Sequence, residues 1–91
     1  MGVPAEYKLE QNYPNPFNPP TTIRYVLPVR SHVTISVYNT LGQKVATLVD
    51  EGEDAGNHEV RFDGTGLASG VYFYRIHAGD FLQARKLLLI R

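Results

Sequence analysis

The closing stretch GVYFYRIHAGDFLQARKLLLIR, residues 70–91, decides the fold. From Val71 to His77 the residues alternate: Tyr72, Tyr74 and Ile76 fall on one side, Val71, Phe73 and Arg75 on the other. A period of two built from aromatic and β-branched residues marks a half-buried strand. Ala78-Gly79-Asp80 supplies a short hairpin loop, and Phe81 to Arg91 returns as the final strand.

The same period runs back along the chain. His58, Val60 and Phe62 alternate in a strand that ends at the turn cluster Asp63-Gly64-Thr65-Gly66, and Leu67-Ala68-Ser69-Gly70 leads into Val71. Val33, Ile35 and Val37 alternate with Thr34, Ser36 and Tyr38, and Asn39-Thr40-Leu41-Gly42 turns the chain into Lys44 to Val49. Ile23, Tyr25 and Leu27 alternate with Thr22, Arg24 and Val26, and Pro28 closes that strand. Between them Asp50 to Gly56 (DEGEDAG) is expected as an exposed acidic loop. It lacks the alternating ligands and closing glutamate of a calcium loop. No segment repeats apolar residues at helical spacing. Six strands, with a seventh available from the N-terminal region, predict an all-β antiparallel sandwich.

The segment QNYPNPFNPPTT, residues 11–22, holds four prolines and three asparagines, which excludes helix and starves a ladder of donors. Its rings, Tyr13 and Phe17, flank the turn-forming Pro14-Asn15-Pro16. Both are expected to fold back as a structural plug on an open sandwich edge.

Ninety-one residues hold one core. Without cysteine, neither a disulfide nor a thiolate metal site can brace it. Nine basic and nine acidic residues leave no field for nucleic acid. The longest apolar run, Leu87 to Ile90, is far below the roughly 20 residues of a membrane-spanning helix, so the chain is not expected to span a bilayer. The N-terminus lacks the charged and apolar regions of a signal peptide. Residues 1–8 are therefore expected to be a vector-derived start and linker, and residues 9–91 the domain of a longer protein.

Catalytic patterns are absent. His32, His58 and His77 stand apart without metal-ligand spacing, Ser69 lacks a nucleophile-elbow frame, and Gly64-Thr65-Gly66 precedes no helix. No enzyme activity, cofactor or metal is expected. Tyr38 and Phe73 can stack on sugar rings, which keeps a carbohydrate-binding or cell-attachment module as a rival, although tryptophan, the commonest sugar platform, is missing.

Four segments, taken in order, carry a resemblance: LEQNYPNPFNP at 9–19, VYNTLGQKV at 37–45, LASGVYFYR at 67–75 and KLLLIR at 86–91. Together they resemble the type A C-terminal sorting domain of the type IX (Por) secretion system, over about Tyr7 to Arg91. The resemblance implies an immunoglobulin-like sandwich at the end of a larger cargo. It also implies transit through the periplasm, recognition by an outer-membrane translocation machine, and a place on the cell surface or outside. In that family a sortase often removes the domain. Gly70 and Tyr72 match the family's GxY strand motif, and Lys86 to Arg91 its basic C-terminal motif. Arg91 stands where lysine is common, Leu87 where methionine is common, and Phe62 where a tryptophan often precedes the aspartate. The Asn-Pro-Phe-Asn-Pro and Gly-Val-Tyr segments are also similar to the immunoglobulin-like scaffold domain of flagellar hook-capping proteins, the alternative reading.

The tail is unusual on physical grounds as well. Leu87, Leu88, Leu89 and Ile90 are apolar on both faces of a strand, where a half-buried strand needs one. Either both faces are covered or one receives a partner. Arg85, Lys86 and Arg91 would keep such an edge from self-pairing, so the isolated domain is expected to be a monomer. The candidate recognition residues are thus Gly70, Tyr72, Lys86, Leu87, Leu89 and Arg91, with strand addition to the last strand as the expected mode.

Overall fold

The computed structural model describes residues 4–91. Met1 and Gly2, read as a vector-derived start, lie outside the described residues. Seven strands make two antiparallel sheets: β1 (Lys8–Leu9), β2 (Thr21–Leu27) and β5 (Gly56–Phe62) in the order β1-β2-β5, and β3 (Ser31–Tyr38), β4 (Lys44–Glu53), β6 (Gly70–Ala78) and β7 (Phe81–Leu89) in the order β4-β3-β6-β7. The fold is an all-β sandwich, and the described residues contain no helix.

Alternation decides what is buried. Ile23, Tyr25 and Leu27 of β2 face Val33, Ile35 and Val37 of β3 and Tyr72, Tyr74 and Ile76 of β6 in a single core. The intervening residues of β6 are exposed, so a one-residue slip would expel the whole set.

Two expectations change. Asp50 to Gly56 is not a loop: β4 runs on to Glu53 and β5 starts at Gly56. Three of its four acids meet partners from neighbouring segments. Asp50 Oδ1 lies 2.6 Å from His32 Nε2, Glu53 Oε1 accepts from the Tyr25 hydroxyl at 2.5 Å, and Asp54 pairs with Arg30. The order also begins before residue 9. Lys8 pairs with Val26, and the Tyr7 ring stacks on Phe81 at 5.2 Å with its hydroxyl 3.1 Å from Ser31 Oγ.

Candidate functional site

Strand β7 is the outer strand of the four-stranded sheet, paired to β6 in the register Val71↔Leu88 and Phe73↔Lys86. Leu87 and Leu89 point inward and are fully buried. They hold β7 to the core, and a partner cannot touch them without opening the fold. Lys86 projects outward into solvent. Tyr72 is buried below, and its hydroxyl donates to the Ala68 carbonyl at 2.7 Å, tying β6 to the loop before it. Gly70 enters β6 at φ +150° in open space. Backbone conformation, not lack of room, is what excludes other residues there.

The proline-rich segment forms a strap along β7. Phe17 is fully buried, and its backbone makes a bridge to the strand: its amide donates to the Leu88 carbonyl and its carbonyl accepts from the Ile90 amide, both at 2.8 Å. Asn15 Oδ1 accepts from the Leu88 amide at 3.0 Å, and Gln11 Nε2 donates to the Lys86 carbonyl at 2.7 Å. Tyr13 does not join this plug. Its backbone bridges Thr22, and its ring is 75% exposed. The reason is parity: consecutive residues of an extended chain point to opposite sides, and the inward place is taken by Asn12. Asn12 is buried, with its amide donating to the Tyr74 hydroxyl (2.8 Å) and Nδ2 to Thr21 Oγ1 (3.0 Å) and the Pro14 carbonyl (3.1 Å).

This strap corrects the expected mode of recognition. The Lys86 carbonyl, both backbone groups of Leu88 and the Ile90 amide are already hydrogen-bonded to the strap, which obstructs strand addition along that half of β7.

Arg91 also has a structural task. Its side chain donates to the Leu67 carbonyl (2.7 Å) and the Gly64 carbonyl (2.5 Å), and its amide donates to Ser69 Oγ (3.0 Å). The chain end is thereby fastened to the 64–69 loop. In the same loop Asp63 accepts from the Thr65 amide at 2.9 Å, which holds its carboxyl below the ordinary range, with Arg61 and Arg91 adding smaller effects. Because charge-assisted bonds to carbonyls weaken with solvent access, Arg91→Ala is expected to cost only about 1 kcal/mol in urea denaturation. A loss nearer 3 kcal/mol would mean that the lock organises the whole loop.

What remains exposed at the site is apolar. On the outer face Leu88 (36% exposed) lies opposite Val71 (37%), with Phe73 (38%) and Ile90 (48%) beside them. Lys86 stands in the middle as the cross-strand partner of Phe73. One face of the two-sided apolar tail is thus buried, and the other is half open.

Among families of known proteins, the model of the secretion system C-terminal sorting domain matches residues 11–90, from the strap to the end of the apolar tail. The chain belongs to this family. The sorting domain is a C-terminal signal for type IX secretion, which delivers a protein across the outer membrane to the cell surface or the exterior. Its fold is also similar to part of PorZ, a bacterial surface component of the type IX secretion system of Porphyromonas gingivalis. The TM-score is 0.63 at 21% identity, over 89% of this chain and 11% of PorZ. The sorting domain therefore spans a small fraction of that protein's length, and the likeness concerns the fold alone. No curated protein matches the chain. Gly70, Tyr72, Lys86, Leu87 and Leu89 all fall within the matched residues, as do Tyr13 and Phe17; Arg91 lies one residue beyond.

Sequence reasoning missed Asn12 and Asn15, which pin the strap, and the Val71–Leu88 face. The asparagines read as turn formers. Asn15 at least stands between two prolines, whereas Asn12, flanked by Gln11 and Tyr13, carried no further signal.

Proposed function

We propose that the sorting domain is a passive, non-catalytic address, and that the outer face of β6 and β7 is what the outer-membrane translocation machinery of type IX secretion reads. The observation that carries this reading is the row Val71, Phe73, Leu88 and Ile90, half exposed around Lys86, on a face that contributes nothing to the core. Exposed apolar clusters rimmed by polar residues are where proteins dock. The buried residues of the tail, Leu87 and Leu89, keep that face flat, and Gly70, Tyr72 and Arg91 fix its border. The cargo domain upstream reaches the periplasm first, and a sortase acts on the domain after passage, when it acts at all.

The test is export of a reporter fused upstream of the domain in a type IX-competent cell. Leu88→Ser with Ile90→Ser leaves the core and strap intact, so the domain should stay folded while the reporter accumulates in the periplasm. Normal export of a folded double variant would move the signal elsewhere on the domain.

A further inference from the structure

The two lateral seams of the sandwich differ. On the β1–β7 side the sheets are joined by the Tyr7–Phe81 stack, by Arg85 Nε donating to the Leu9 carbonyl at 2.6 Å, and by the Phe17 bridge. On the other side β4 and β5 join at Asp54-Ala55 and then part, leaving a groove of about 380 Å³. Its apolar lining comes from Val45, Ala46 and Leu48 of β4 with Phe62 and Leu67 opposite. Val45, Ala46, Leu48 and Leu67 are only partly covered by the core.

Three features define what fits there. Both flanking strands are sheet edges, β4 beyond β3 and β5 beyond β2, so each presents a row of backbone donors and acceptors to the groove. The pairing of β4 with β3 is irregular at Ile35/Ser36 and Val37/Tyr38. Such bulges twist a strand, and here the neighbours Val45 and Ala46 both line the groove. Charge sits at the ends of β4, with Asp50, Glu51 and Glu53 near the join and Lys44 at the far end, whereas Val45 to Val49 has none. On the groove wall Arg61 has no carboxylate within 4.0 Å among the described residues; Asp63, which lines the groove beside it, accepts from the Thr65 amide.

We infer that the β4–β5 groove is a second binding site, which takes an extended segment of another protein by strand addition, with apolar side chains at alternate positions and an acidic side chain against Arg61. The open edge from Lys44 to Val49 accommodates about six residues at roughly 3.3 Å each. Backbone pairing supplies affinity, the seam between the sheets selects alternate apolar side chains, and Arg61 selects charge. The site is separate from the β6–β7 outer face, so its test is independent of export.

The experiment uses the chain as it stands and a synthetic array of peptides of about eight residues. Each carries Val, Ile or Phe at alternate positions and an acidic, neutral or basic residue between them. Binding is read by amide chemical shifts. Acidic members should bind, with shifts confined to residues 44–49 and 60–67. Methylating alternate peptide amides should abolish binding, and Arg61→Glu, an exposed substitution, should shift preference toward basic members by about tenfold. The inference is overturned if no member binds at about 1 mM, if shifts map to β6 and β7, or if charge makes no difference. It is equally overturned if β4 shifts with protein concentration in the absence of peptide, since a second copy would then be the occupant.

Discussion

Phe17→Ala is expected to lower the unfolding free energy by about 3 to 5 kcal/mol, the largest loss from any single truncation in the strap. The ring is fully buried, 6.0 Å from Phe62 and tilted 51° to it. It also lies under the 63–66 turn: a Cβ on Gly64 would sit 3.8 Å from Phe17 Cε2 and 3.4 Å from Leu89 Cδ2, and the φ of +65° there already favours glycine. Removing the ring leaves a cavity shared by strap, turn and β7, none of which can collapse without shifting the others. A domain of this size is stable by roughly 5 to 14 kcal/mol in total. Each kcal/mol moves its Tm by about 4 to 8 °C, so the midpoint should fall by at least about 12 °C in a circular-dichroism melt. Phe17→Leu keeps most of the volume and should lose about half as much. A loss below about 1 kcal/mol for the alanine variant would show that Phe17 merely rests on the edge and that the strap is held by its hydrogen bonds rather than by the ring. Hydrogen exchange separates the two arrangements. Amides of Leu88 and Ile90, bonded to Asn15 and Phe17, should lose protection in Phe17→Ala before those of β3 do.

The strap also shows where the sequence was readable and where it was not. Strands β2, β3 and β6 were legible because each buries one face, so hydrophobic alternation and burial coincide residue by residue. Strand β4 was legible only in its first half. Its bulged pairing leaves Val45, Ala46, Leu48 and Val49 all half-buried, and no period of two survives such a strand. The acids of its second half resembled a loop because their cross-strand partners, His32 and Tyr25, lie 18 and 28 residues away. Strand β1 is two residues long, too short for any pattern. At the candidate site, the excess of apolar residues on both faces of Leu87 to Ile90 was visible in the sequence, but which face is buried was not: Leu87 and Leu89, read as recognition residues, point into the core. That the edge of β7 is closed did not follow, because closure depends on side-chain amides 73 and 75 residues upstream. A local reading sees an edge strand with basic flanks. In the folded chain the strap occupies this half of the β7 edge, and the recognition proposed above falls on the face instead.

Tyr74→Phe should be the second most damaging conservative change, and its effect should depend on pH. Tyr74 is fully buried on β6, yet its hydroxyl reaches across the sandwich, donating to the Glu10 carbonyl at 2.6 Å and accepting from the Asn12 amide at 2.8 Å. Removing one oxygen leaves a donor and an acceptor of the strap without partners where water enters poorly, at a combined cost of about 2 to 4 kcal/mol near neutral pH. Burial pushes the Tyr74 hydroxyl up to about 12, with the Asn12 amide and the Arg85 charge opposing. An unfolded tyrosine releases its proton near pH 10. Between about pH 10 and pH 12 the folded chain therefore holds a proton that the unfolded chain has lost, and the native state weakens as pH rises through that window. The stability of the unmodified domain should thus be independent of this group below about pH 9 and fall steadily above about pH 10. Tyr74→Phe should start lower and fall less steeply. A slope will persist, because Tyr25, raised first by burial and then by its hydrogen bond to Glu53, titrates later still. Denaturant midpoints measured from pH 7 to pH 11 for the two proteins decide the matter. Parallel curves would mean that the Tyr74 hydroxyl is hydrated in solution and does not tie the strap to β6. Convergent curves would locate the alkaline weakness of the domain at the contact that joins its strap to its core.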